Sequence, residues 1–143
     1  MGCDTHMYIE YRRKDNENKT WQNFGGRINP GRNYLIFGII SEGVRCETTF
    51  NFPPKGMPDD AAYASRNDNQ LYISETEGGK PTWVTHPDWH SHSWLTTQEF
   101  EKAMEFYREK GNWTEPEYEA LLASMKRFEE LGFESRVVFW FDN

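Results

Sequence analysis

The sequence predicts an α+β domain: a small, mostly antiparallel sheet packed against two or three helices. Three observations carry this expectation. Residues 3–13 alternate with period two, as a half-buried strand does. Residues 97–110 and 115–131 carry apolar side chains at helical spacing behind cap signals. Residues 136–141 (Arg136-Val137-Val138-Phe139-Trp140-Phe141) are an almost unbroken apolar run of strand length.

In the first strand Cys3, Thr5, Met7, Ile9 and Tyr11 share one face, and Asp4, His6, Tyr8, Glu10 and Arg12 share the other. Residues 14–18 are polar and turn-prone, so 19–24 can return as the second strand of a hairpin. Residues 25–31, with three glycines and Pro30, read as a loop. The dense apolar segment 32–42 predicts a short buried helix ending near Gly43, with a strand as the alternative. Three prolines and Gly56 make 44–60 mostly loop, with one helical turn at 59–62. In the polar stretch 64–80 only 71–73 looks strand-like, and 83–85 reads as a short extended piece.

The late helices have the clearest local signals. Thr96 with Glu99 forms a capping box, and Leu95 with Phe100 a hydrophobic staple. Phe100, Ala103, Met104 and Tyr107 give the buried stripe, and Gly111 suits the position after the helix. Thr114 with Glu117, and Trp113 with Tyr118, predict the same device for the second helix, whose stripe runs from Tyr118 to Phe128. The final strand is expected in the middle of a sheet formed by 3–13, 19–24 and 135–141.

The 143 residues fit one domain, 1–143, around one core. Mean hydropathy is only −0.90. The 16% of aromatic residues compensate, because each buries a large area. Residues 1–60 are charge-neutral, with eight side chains of each sign, so the whole net charge of −7 falls on 61–143. So acidic a surface disfavours wrapping a long nucleic acid, while leaving room for a small anionic ligand near the N-terminal arginines. No signal peptide or membrane-spanning apolar run is present in these residues, and the two cysteines, Cys3 and Cys46, predict reduced thiols in a cytoplasmic protein.

The chemistry-bearing stretch is residues 88–97, Asp-Trp-His-Ser-His-Ser-Trp-Leu-Thr-Thr. In extended backbone Asp88, His90 and His92 point one way. With Asp4 and His6 they offer five donors at i,i+2 spacing. Such a set suits a divalent metal, zinc or manganese, that activates water or polarises a phosphate. A metal-free reading uses His6, His90 and His92 as general acid and base, with Asp4 as orienter. The bland reading is that the histidines simply fix a loop. Ser91, Ser93 and the following helix N-terminus favour an anion. Arg12, Arg32 and Arg45 offer guanidinium forks for phosphate. Tyr34 and Trp94 are candidates for stacking on a nucleobase. Cys3, on the apolar face, reads as a buried thiol.

Residues 1–6 (Met-Gly-Cys-Asp-Thr-His) resemble the Met-Gly-Cys-Asp-Ile-His opening of an uncharacterised family of small phage and prophage proteins. Arg32-Asn33-Tyr34, Phe37-Gly38-Ile39, Gly43-Val44-Arg45, Pro54-Lys55-Gly56-Met57-Pro58 and the His90–Thr96 stretch are similar to later parts of that family. The resemblance implies a phage setting inside a bacterial host and gathers these polar residues into one site. It supplies no activity.

Three functions follow as expectations. The first is a small hydrolase, a phosphodiesterase acting on a nucleotide such as a host-defence signal. The second is a sponge that sequesters such a nucleotide without turnover, a homo-oligomer interface forming part of the pocket. The third is an inhibitor that binds a host protein through its acidic helices.

Overall fold

The computed structural model describes residues 2–15, 20–69, 71–73, 82–84, 86–111 and 113–143. Its main sheet has four antiparallel strands in the order β2 (Gln22–Asn23), β1 (Thr5–Arg13), β6 (Phe133–Asp142), β5 (Trp89–Thr96). The expected α+β architecture is therefore present. β6 lies between two long neighbours, pairing Thr5 with Phe141 on one side and Trp89 with Asp142 on the other. It is buried on both faces, which is why its sequence is continuously apolar rather than alternating.

The inner face carries the larger core. Met7, Ile9, Leu95, Val137, Phe139 and Phe141 meet α1 (Tyr34–Ile40), α3 (Thr97–Lys110) and α4 (Pro116–Glu130) there. Each fully buried side chain of this kind contributes roughly 1.5–3 kcal/mol. Asn33 caps α1, accepting from Ile36 N at 3.0 Å. Gly38 lets this helix approach the chain closely, since a Cβ there would run into the Cys46 carbonyl. Cys3 is fully buried and both cysteines are free thiols.

α3 has the expected capping box, Thr96 and Glu99 each satisfying the other's backbone N–H. Two helix-end expectations fail. Glu115 takes the N-cap position of α4 without a side-chain capping bond, Pro116 is the first helical residue, and Trp113 is 79% exposed instead of stapled. Proline pre-sets the helical φ at its own position and keeps the residue before it out of the helical region, so Glu115 is extended and the helix starts later. Gly111 caps α3 with an extended φ of −83°, while Gly132, φ 91°, takes the left-handed turn after α4.

The outer face holds a smaller cluster of Tyr8, Val138 and Trp140. Residues 50–57 reach it by passing round the β5 edge. Phe50 and Phe52 pack on the inner core. The Lys55 N–H then donates to Ser93 Oγ at 3.0 Å and the Gly56 N–H to the His92 carbonyl at 2.8 Å. Met57 lands on the outer cluster. The strap thereby occupies hydrogen-bonding groups that an open edge strand would leave unpaired. It continues into α2 (Tyr63–Asn69), a helix that the polar sequence of 64–80 does not reveal. β3 (Leu71–Ile73) pairs with β4 (Thr82–Val84) as a separate two-stranded sheet. The second hairpin strand is shorter than expected, two residues, and part of the predicted range 19–24 lies outside the described residues. Among the described residues no helix is long and apolar enough to cross a membrane.

Candidate functional site

β5 contains a bulge. His90 pairs with Phe141 and Ser93 with Phe139, so Ser91 and His92 together oppose Trp140. Ser91 takes a left-handed φ of 56°. The bulge breaks the expected alternation. His90 stacks on Phe141, a residue of the inner core, at 6.1 Å, and its Nδ1 lies 2.9 Å from Ser91 Oγ. His92 stacks on Trp140, on the outer face, at 5.7 Å. Burial, and then the neighbouring His90, hold its imidazole below the usual histidine range, so it favours the neutral form. Asp88 is largely exposed beside His86. The three residues expected on one side thus part company.

His6 stacks on the opposite edge of the same aromatic group, 5.7 Å from Trp140 and 5.1 Å from Trp89. Its Nδ1 lies 2.9 Å from Arg27 Nη1. A guanidinium only donates, so Nδ1 accepts, and Nε2–H donates to Asp142 Oδ2 at 2.9 Å. Asp142 also accepts from the Asp4 N–H. Asp4 itself is gripped by both arms of Arg32, at 2.6 and 3.2 Å. That hydrogen-bonded pair holds the Asp4 carboxyl below its usual range. Tyr34 Oη accepts from the Cys3 N–H, and Arg45 lies over the Tyr34 ring while donating to the Asn143 carbonyl. Beside this end of the sheet is a shallow hollow of about 420 Å³ that includes Arg32, His86, Asp88, Trp89 and Asp142. Among the described residues no three His, Cys, Asp or Glu side chains converge as a metal site would need.

A larger cleft, of about 900 Å³, lies farther along the outer face. Its centre is Arg136, buried and held by Glu10 at 2.7 Å and Asp60 at 3.1 Å. Glu10 is fully buried and also accepts from the Ala62 N–H and the Ser65 hydroxyl, which fastens the strap to the sheet. Trp21 is clamped between Arg12, 4.4 Å from its ring, and Arg136, 4.0 Å away. Trp94 carries Lys55 on its ring at 3.8 Å. Arg12 pairs with Glu134, Lys14 with Glu129, and Lys55 with Glu99. With Asp59 and Asp60 at the rim, the walls balance charge.

Compared with known proteins, the chain matches no family model, no curated protein and no solved structure.

The predicted site residues therefore fall into separate places. Asp4, His6, Arg32 and Asp88 gather at one end of the sheet. Arg12 and Trp94 line the large cleft. Ser93 is buried under the strap. Sequence reasoning missed Trp21, Lys55, Asp60, Arg136 and Asp142. Arg136 and Asp142 had a legible signal, since each is a charge set against the ends of an otherwise apolar strand.

Proposed function

We propose that the protein binds a nucleotide in the large outer-face cleft and holds it without turnover. The observation that supports this reading is Trp94 with Lys55 resting on its ring, in an open cleft of about 900 Å³. A planar base can take the place of Lys55 over the indole, with stacking worth roughly 1–3 kcal/mol. The released ammonium then serves phosphate. Its present pair with Glu99 is about 29% exposed on both sides, and partly exposed pairs of this kind are worth only about 0–1 kcal/mol. Arg12 and Lys14 are likewise held by pairs that solvent reaches. The rim carboxylates suit ribose hydroxyls, so a charge-balanced cleft fits a nucleotide better than a polyanion. Among the described residues the cleft is lined by no histidine, and its Glu129 and Glu134 carboxylates are engaged by Lys14 and Arg12. In the phage setting that the sequence resemblance implies, such a protein would act as a sponge for a signalling nucleotide.

One observation favours hydrolysis as a second reading. Asp142 orients His6 as a carboxylate orients a catalytic base, with Arg27 and Arg32 close to the pair. Displacement of Arg27 by a phosphate would free Nδ1 to take a proton. Zinc or manganese chemistry belongs to this reading alone, and elemental analysis of untagged protein tests it.

Incubation with a panel of mononucleotides, dinucleotides and cyclic dinucleotides, then heat release and chromatography, separates the readings. Intact ligand recovered from the protein supports sequestration. Altered ligand supports hydrolysis. A panel that leaves no ligand on the protein refutes the binding proposal.

A further inference from the structure

We infer that the exposed face of α4 is a two-fold interface with a second copy of this chain. Three of the five exposed large hydrophobic side chains among the described residues lie beside this helix: Trp113 at 79%, Leu131 at 55% and Phe24 at 49% exposure. Isolated exposed apolar residues need no explanation, but a group along one element does. Phe24 stacks edge-on against Phe128 at 5.2 Å, and with Leu131 they border an apolar groove of about 430 Å³.

The spacing along the helix identifies the occupant. Glu117, Ala120, Ser124, Arg127 and Leu131 recur every three or four residues and so form one stripe. An antiparallel copy related by a two-fold axis near residue 122 sets each residue against a definite partner. Ala120 meets Ser124, small against small, which lets the backbones approach. Glu117 meets Arg127, opposite in charge, and the symmetry makes that pair twice. Leu131 and its groove meet the Trp113 end of the other copy, also twice. A parallel copy would set Glu117 against Glu117 and Arg127 against Arg127. The pattern is therefore self-complementary in one orientation, as an isologous interface requires. Arg127 now pairs with Glu130 at 3.0 Å, both more than 60% exposed, a contact weak enough to exchange. Tryptophan and arginine at the ends of the contact are the residue types that most often dominate binding energy.

Sedimentation velocity of the full chain, from low micromolar to near-millimolar concentration, tests the inference. The mass should rise with concentration toward twice the chain mass of 17.0 kDa. Trp113→Ala and Glu117→Arg should each weaken association by roughly tenfold or more. The charge-swapped double variant, Glu117→Arg with Arg127→Glu, should regain most of it. All three positions are exposed, and circular dichroism checks that the variants stay folded. A monomer across the whole range overturns the inference. So does an association indifferent to both single variants, or a double variant no tighter than Glu117→Arg alone.

Discussion

His90 and His92, two residues apart on one strand, lie on opposite faces of the sheet. His90 stacks on Phe141 and His92 on Trp140. The cause is the extra residue at the bulge, where Ser91 adopts a left-handed φ of 56°. An L side chain pays for that conformation, and a β-branched one most. Ser91→Val should destabilise the protein by about 1–3 kcal/mol in urea unfolding. Stability equal to wild type would mean that the strand runs without the bulge.

The pH dependence of stability should carry a signature of His92. Burial, and then the charge of His90, lower its proton affinity in the folded state below the usual value of 6.5. The unfolded chain then binds more protons around that value, so stability rises with pH there. The contribution is complete above pH 6.5 and is lost as pH falls through the lowered folded value. Urea unfolding at pH 7.5 and 5.5 should show a smaller difference for His92→Phe than for wild type. An unchanged difference would assign the slope to other groups.

The strap depends on a buried charge pair. Glu10 accepts from Arg136, from the Ala62 N–H and from Ser65, all out of water. Glu10→Ala removes the buried partner of the guanidinium, leaving it only the more exposed Asp60, and should cost about 3–5 kcal/mol. Removing both charges with Glu10→Leu and Arg136→Met should recover part of the loss. The recovery should be incomplete, because the Ala62 N–H and the Ser65 hydroxyl still lose their acceptor. Equilibrium unfolding of the three variants measures this. Full recovery would show that those two hydrogen bonds add nothing.

The fold was legible where one period governed a whole element. The alternation from Cys3 to Tyr11 identified the inner face of β1, and the unbroken run from Val137 to Phe141 identified the central strand. The Thr96–Glu99 box located α3 because capping is a local device. What failed was set by distant or single-residue events. Pro116 moved the start of α4 by holding Glu115 in extended backbone. The bulge at Ser91 reversed the alternation that gathered Asp88, His90 and His92, and no local sequence signal marks it. α2 is polar because it lies over the outer face with only Ser65 buried. The large cleft was invisible for another reason. Trp21, Lys55, Asp60, Trp94 and Arg136 come from widely separated segments and meet only after the strap rounds the β5 edge.

Calorimetric titration decides whether the Trp94 cleft is where a nucleotide binds. Wild type, Trp94→Ala and His6→Ala should each be titrated with the nucleotide that the panel retains. The expected result is saturable binding to wild type, at least a roughly tenfold loss in Trp94→Ala from the missing stack, and no change in His6→Ala. Unaltered binding by Trp94→Ala, or a loss confined to His6→Ala, would contradict the assignment and move the site to the His6–Asp142 end of the sheet.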